Sequence, residues 1–329
     1  MQALTVCTGS RTESANLLAP VATAESTSES LKLPCDKTSG PPRHDSPMDR
    51  IIKDVRTRAG DNCIGRALRP MPEMALKLGE PAFHYPSVDT TMRLAADRAR
   101  EGCPEGTIVT AACQTAGRGR LGRSWLSKPG LGLYLSIVLR PSCRPDDAPM
   151  LTLVAGLGVC EALQRVAGVQ CDIRWPNDIL IRERKCCGIL VEMEASDGRV
   201  DHVIAGVGIN LNHREFPRGL RSEATSLRIE TGRDWTRESV LRPVLDSIGA
   251  CYELRQTEGD GPILAAFQHA SSYAFGRRVV IEAGKEAGAE PRRGVTAGLD
   301  SKGLLLVRSD DGSVAPVLAG SVRPDPSTI

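Results

Sequence analysis

The chain has 329 residues, 41% of them hydrophobic and 25% charged, the proportions of a globular protein long enough for a sizeable core and more than one compact unit. Its formal net charge is +2, too small for a whole-molecule field to drive binding to nucleic acid or an anionic membrane, so anion recognition has to be local. The 11 cysteines form no C-x-x-C and leave one over after pairing, which argues against a disulfide framework or zinc and for small buried hydrophobes.

Residues 1–47 are rich in Ser, Thr, Pro and Ala without periodicity, and Gly40-Pro41-Pro42 closes the stretch. They read as a disordered extension, with Met48 an alternative start. Glu13, Glu25, Glu29 and Asp36 argue against an acid-poor transit peptide. No charged n-region leads into an apolar h-region, and no apolar run approaches the ~18 residues of a membrane span. The cytoplasm is therefore the default compartment, and no membrane partner is expected. Residues 48–82 are a lead-in segment: a short amphipathic piece, Ile51–Val55, then proline-broken chain.

The dense part begins near Phe83. A helix is predicted from Thr90 to Arg100, capped by Asp89 or Thr90. Thr107–Ala112 and Leu133–Leu139 read as strands. Pro149–Val166 carries apolar residues at helical spacing and reads as a buried helix. Two hairpin-like strands, Cys171–Trp175 and Ile179–Ile181, follow, joined by Pro176-Asn177-Asp178. Gly188–Glu194 and Val203–Asn212 are further strands. Glu238–Leu254 is an amphipathic helix, and Pro262–His269 a shorter one. From Gly276 the texture changes to short strands at 279–281, 294–299, 304–307 and 314–317. Asp300–Gly303 and Asp310–Gly312 supply turns between them, giving a small antiparallel barrel-like module.

Four strings carry chemistry. The first is Gly117-Arg118-Gly119-Arg120-Leu121-Gly122-Arg123-Ser124-Trp125. Its glycines let backbone approach a ligand, and its arginines supply forked donors for carboxylate or phosphate. The arginines should repel one another, so the loop is expected to settle only around a bound anion. The spacing G-x-G-x-x-G matches a dinucleotide fingerprint, but Ser127-Lys128-Pro129-Gly130 breaks any following helix, so a Rossmann site is rejected. No phosphate P-loop occurs either. The second string is Arg174-Trp175-Pro176-Asn177-Asp178; alone it reads as a hairpin turn with a packed Trp. The third is Lys185-Cys186-Cys187-Gly188-Ile189-Leu190, a Lys followed by bare backbone at a strand start. The fourth is Gly206-Val207-Gly208-Ile209-Asn210, alternating glycines that imply close backbone approach. The five histidines (His44, His84, His202, His213, His269) have no i, i+4 spacing, and no metal ligands are assigned.

In this order the four strings resemble the biotin–protein ligase family, over about Ser87 to Pro324. Asp89-Thr90-Thr91-Met92 matches that family's Asp-Ser-Thr-Asn stretch with Thr90 for Ser and Met92 for Asn; Arg174 replaces the Lys before Trp-Pro-Asn-Asp. The resemblance implies an α+β fold. A mixed β-sheet catalytic domain with packed helices spans 83–273, followed by a small C-terminal SH3-like β-barrel at 274–329. It implies activation of biotin by ATP and Mg²⁺ as biotinyl-5′-AMP, then transfer to a lysine of a biotin carboxyl carrier protein of acetyl-CoA carboxylase or a related carboxylase. Carried over residue by residue, Thr90, Thr91, Met92, Gln114, Gly117, Arg118, Gly119, Arg120, Lys185 and Gly188 bind biotin. Arg118, Arg120 and Lys185 are the catalytic set. Arg123, Trp125, Asn177, Asp178 and Asn210 bind ATP, and the segment 214–226 orders over the adenosine. No enzyme nucleophile is required.

Two other readings compete. A lipoate or octanoate ligase or transferase shares the fold, but an aliphatic acid has no use for Gln114 beside Thr90. A biotin-sensing DNA-binding repressor requires a winged helix-turn-helix, for which Met48–Glu80 is too short and proline-broken. The expectation is a ligase form without that domain and without a nucleic-acid partner. A homodimer is compatible with the sequence.

Overall fold

The computed structural model describes residues 77–147, 149–220, 223–282 and 291–328. The readings for 1–47 and for most of the lead-in therefore lie outside the described residues. Seven strands form one mixed sheet: β1 (Ala82–Tyr85), β2 (Ile108–Ala111), β3 (Gly132–Leu139), β4 (Asp172–Arg174), β5 (Asp178–Ile181), β6 (Arg184–Ser196) and β7 (Arg199–Asn210), in the order β1-β2-β3-β7-β6-β5-β4. Helix α1 (Thr91–Arg100) connects β1 to its parallel neighbour β2. The other pairings are antiparallel. Thr90 caps α1, its hydroxyl accepting from the Met92 backbone N–H.

The period of two along β3 and β7 sorts the sheet into two faces. Leu133, Leu135, Ile137 and Leu139 share one buried cluster with Val203, Ala205, Val207 and Ile209. Helices α2 (Met150–Ala167), α4 (Arg237–Glu258) and α5 (Asp260–Ala270) pack into that cluster. Val138 and Ile204 instead join Met92, Ala95 and Ala99 of α1. Tyr134, Ser136, Gly206 and Gly208 are therefore on the α1 face, where the register pairs Tyr134 with Gly208 and Ser136 with Gly206. The stretch Pro145–Ala167 is long and apolar enough to cross a membrane by length and composition alone. Its helix is largely buried, with Leu151, Val154, Val159 and Leu163 in the core.

The C-terminal module is a five-stranded antiparallel sheet of β8 (Phe275–Glu282), β9 (Arg292–Leu299), β10 (Leu305–Arg308), β11 (Val314–Pro316) and β12 (Ser321–Pro324), ordered β11-β10-β9-β8-β12. Val279, Ile281, Leu305, Val307, Val317 and Val322 belong to the same buried cluster as α2. The Trp175 indole N–H donates to the Gly303 carbonyl at 2.9 Å. So the tryptophan of the second string fastens this module to the seven-stranded sheet, a role beyond packing a hairpin turn.

Several elements depart from the sequence reading. β1 and β12 were not anticipated, each being four residues long. The single-turn helix α3 (Leu227–Thr231), capped by Ser226, was not anticipated either. β6 starts at Arg184, not Gly188, because Leu180 of β5 pairs with Lys185. That pairing places Lys185 on a strand, held on both sides.

Helices α2 and α4 touch at Gly158, where an added Cβ would lie 2.7 Å from the backbone N and Cα of Ile248. Backbone atoms in a packed helix cannot step aside. Gly158→Ala should therefore destabilise the protein by about 1–3 kcal/mol. Gly156→Ala, whose nearest neighbours are side-chain atoms at 3.7 and 3.8 Å, should be neutral or slightly stabilising through helix propensity. Denaturant unfolding midpoints of the two variants check this; equal losses would refute the close-contact argument.

Candidate functional site: two pockets joined at Lys185

The arginine-glycine string is a hairpin-like flap between Gln114 and Ser127. Its limbs are tied by Gln114 N to Ser127 O at 3.2 Å, Trp125 N to Gly117 O at 2.8 Å and Gly119 N to Arg123 O at 2.7 Å. Residues Arg120–Gly122 make a short 3-10 turn at the tip, with Leu121 in the left-handed region at φ 59°. Each arginine has a partner within the chain. Arg118 pairs with Glu192 at 2.7 Å. Arg120 donates to Asn177 Oδ1 at 3.0 Å, and Arg123 to Ser321 Oγ at 2.6 Å. Neutral oxygens and one exposed carboxylate thus separate the guanidinium groups, intrachain partners that the sequence reading did not anticipate.

The flap ends on bare backbone. Gly188 of β6 and Gly208 of β7 are cross-strand partners. A Cβ on Gly208 would lie 2.6 Å from the Trp125 indole, and one on Gly188 2.9 Å from it. The indole thus lies flat on the α1 face, where any side chain would lift it. Its ring N–H is buried without a hydrogen-bond partner among the described residues.

A first pocket opens between the flap and the sheet. It is lined by Thr90, Thr91, Met92, Gln114, Arg118, Gly119, Arg120, Trp125, Asn177, Lys185 and Gly188, with Tyr134, Leu190, Gly206 and Gly208 as floor. Its polar end is built from Thr90, Thr91 and Gln114. Thr91 donates to Gln114 Oε1 from both its backbone N–H, at 2.9 Å, and its hydroxyl, at 3.1 Å. Met92 packs on Gly206, whose added Cβ would meet its sulfur. Gly117 is not in the lining; it sits beneath, against Trp125 O, Ser127 and Gln114.

A second pocket lies across Trp125, lined by Arg123, Ser124, Trp125, Leu126, Asp178, Lys185, Asn210, Phe216, Leu220, Ala224 and Arg323. The Asn210 side chain donates to the Thr225 carbonyl at 3.0 Å. Glu223–Thr225 runs beside Lys185 through Lys185 N to Glu223 O at 2.8 Å and Thr225 N to Lys185 O at 2.9 Å. Of the five residues assigned to ATP, Arg123, Trp125, Asp178 and Asn210 gather here. Asn177 lies in the first pocket instead. Its amide is used within the chain, accepting from Arg120 and donating to Ile189 O at 2.9 Å, so it holds Arg120 in place. Phe216, Leu220 and Ala224 come from the segment 214–226 that the resemblance placed over the adenosine, whereas Tyr134 and Arg323 were not found from sequence, neither sitting in a string with a local signal.

Lys185 and Trp125 line both pockets. Lys185 Nζ is 2.6 Å from Asp178 Oδ1 and 5.2 Å from the Trp125 ring centroid, within cation–π range. Asp178 also accepts from Arg174 at 2.7 Å. Burial pushes the Asp178 carboxyl up, but Lys185 and Arg174 together hold it below the usual carboxylate range. Arg174 is thus a buried partner of Asp178, its own side chain 7% exposed. Burial lowers the Arg120 pKa, Asp178 opposes that, and Arg123 adds to it. Among the described residues no group of three or more His, Cys, Asp or Glu side chains is arranged to hold a metal ion.

The sequence profile of the biotin/lipoate A/B protein ligase family matches residues 85–210. The bifunctional ligase/repressor BirA of Bacillus subtilis is 38% identical over 237 residues, covering 71% of each chain. The biotin–[acetyl-CoA-carboxylase] ligase of Paracoccus denitrificans is 31% identical over 209 residues, 62% of this chain and 85% of that one. The biotin protein ligase of Aquifex aeolicus, solved with biotin and ATP, superposes with a TM-score of 0.62 at 33% identity, covering 75% of this chain and all of that one.

Removing the counter-charge shared by Lys185 and Arg174 should be costly. Asp178→Asn leaves Lys185 and Arg174 facing each other, and should lower stability by about 3–5 kcal/mol at neutral pH. Asp178 has a depressed folded-state pKa, so its contribution is full above the unfolded value of about 3.9 and disappears as pH falls through the folded value. The gap between wild type and Asp178→Asn should accordingly close in that acidic range. Unfolding measured against pH checks this; a gap that persists below it would refute the ion-pair account.

Proposed function

We infer that this chain, which belongs to the biotin–protein ligase family, acts as a biotin–[acetyl-CoA carboxylase] ligase whose first pocket takes biotin and whose second takes the nucleotide of ATP. The observation that carries this assignment is the position of Lys185 and Trp125 in the wall shared by the two pockets. A carboxylate reaching out of the first pocket meets the α-phosphate from the second beside one ammonium group. There the biotin carboxylate oxygen attacks the α-phosphorus, the α–β bridging bond breaks and pyrophosphate leaves. The carrier lysine amine then attacks the acyl carbon of the mixed anhydride, and AMP leaves as the amide forms.

The chain's own groups fit these steps. Lys185 and Arg120 place fixed positive charge where negative charge builds up. The unpartnered Trp125 N–H supplies a further donor at the shared wall. Thr90 and Gln114 face the ureido ring. The flap roofs the first pocket through Arg118, Gly119, Arg120 and Trp125. A flap that closes over the anhydride excludes water from it. Mg²⁺ fits as part of the substrate, arriving on the ATP phosphates, since that ion commonly uses one or two carboxylates and phosphate oxygens without a protein cage. The carrier is a biotin carboxyl carrier domain. A lipoate or octanoate ligase would leave the Thr90 hydroxyl and Gln114 amide buried against an aliphatic tail, a penalty for unsatisfied polar groups. Whether a DNA-binding segment precedes the catalytic domain falls on residues outside the described ones.

Incubation with labelled biotin, MgATP and a biotin carboxyl carrier domain should place label on the carrier lysine, with excess lipoate competing poorly. Lys185→Ala and Arg120→Ala should each lower biotin-dependent ATP–pyrophosphate exchange by ~2–4 kcal/mol of transition-state stabilisation, roughly 30- to 1,000-fold. Unchanged exchange in both variants would overturn the site assignment.

A further inference from the structure

A row of hydrogen bonds crosses from the sheet, along the first pocket, into the flap. The Ser136 hydroxyl donates to Thr91 Oγ1 at 2.8 Å, and Thr91 donates to Gln114 Oε1 from its hydroxyl and its backbone N–H. On the far side of the same amide, Gln114 Nε2 donates to Ser127 Oγ at 2.9 Å. The Ser127 hydroxyl donates to the Trp125 carbonyl at 3.2 Å. All donors point one way, from sheet to flap.

Two groups with no choice fix that sense. The Thr91 backbone N–H can only donate, so the amide oxygen of Gln114 must face it. The Trp125 carbonyl can only accept, so the Ser127 proton is committed to it and the Ser127 oxygen is left to receive the amide N–H. Because its oxygen already takes two donors, Gln114 offers the pocket its second N–H. That is a donor for a carbonyl such as the one in a cyclic urea. Ser127 is buried, at 5% exposure, where the two limbs of the flap cross. A Cβ on Gly117 would lie 2.6 Å from Trp125 O, 2.7 Å from Ser127 Oγ and 3.1 Å from Gln114 Nε2.

We propose that Ser127 is a positioning residue, acting through Gln114: it holds the amide with its free N–H toward the ligand ring and ties that orientation to the flap at Trp125. The proposal rests on the reading of the first pocket as the biotin site. Without the Ser127 hydroxyl, the amide keeps Thr91 on one side and loses its anchor on the other. Ring recognition and flap placement then become independent.

The test is a double-mutant cycle on the full chain, read by biotin-dependent ATP–pyrophosphate exchange. Ser127→Ala should raise the KM for biotin roughly tenfold, the change set by about one hydrogen bond, and alter the KM for ATP by less than about twofold. In a Gln114→Ala background, Ser127→Ala should add almost nothing, because coupled groups are not additive. Multiplying effects, or equal rises in both KM values, would overturn the proposal, since a merely structural serine acts regardless of Gln114. Absence of exchange in the wild-type protein would instead sink the functional reading, whatever Ser127 does. If thermal unfolding shows that Ser127→Ala does not fold, the cycle is run with Ser127→Cys, which keeps the volume but replaces the hydroxyl by a weak donor and acceptor. Additivity with Gln114→Ala there overturns the proposal equally.

Discussion

Bare backbone on two paired strands is the condition for everything above it. Gly188 and Gly208 face each other across β6 and β7, and Trp125 occupies the space their missing side chains leave. Had either strand carried a Cβ there, the indole would be lifted off the sheet and the flap with it. With the indole flat, its face meets the Lys185 ammonium and its edge divides the cleft into two pockets. The alternation of strand faces explains why these positions were available. Residues 206 and 208 are on the α1 face, while Val207 and Ile209 fill the main core, so the glycines weaken no hydrophobic packing.

Charge in the cleft is arranged in two grades. Asp178 is the firm one: largely buried, it takes both Lys185 and Arg174 and stays ionised. The flap arginines are held more lightly. Arg120 rests on a neutral amide oxygen, and Arg118 on a carboxylate whose side chain is 39% exposed. An exposed pair of that kind contributes little. A charged phosphate or carboxylate is a stronger acceptor than a neutral amide. Incoming anions can therefore displace these partners, whereas they cannot displace Asp178 without stranding buried Arg174 and part-buried Lys185. The same loop is thus held by partners that an anion can replace.

Much of this was legible in the sequence because the ligand-facing residues come in short consecutive strings. A loop of glycines and arginines, a turn fixed by Pro176, and glycines alternating along β7 each impose a local constraint that composition reveals. The first pocket gathers nine of the ten residues that the family resemblance carried over, with Gly117 displaced to the flap base. What sequence concealed was contact across distance. Asn177 has the turn geometry expected of it, but nothing local says that its amide meets Arg120 and Ile189 rather than a nucleotide. Lys185 seemed to precede a strand, yet pairing with β5 carries the strand past it. The four-residue strands β1 and β12 are too short for periodicity to register, and Arg323 on β12 enters the second pocket only through tertiary packing.

That last contact has an energetic consequence. The module from Phe275 to Pro324 is close to the size below which a core seldom stands alone, and its interior is continuous with that of the catalytic sheet. Trp175 pins it at Gly303, and the Gly303 position itself is crowded by Leu153 and Met150 of α2. Its last strand then supplies Ser321 to Arg123 of the flap and Arg323 to the second pocket. Part of the second pocket is therefore built on an element that owes its own order to the catalytic core. Loosening the Trp175 anchor would act on the far wall of that pocket without touching any residue that faces the ligand. The module is a working wall of the site, and its hydrophobic continuity with α2 is what keeps that wall in register with the flap.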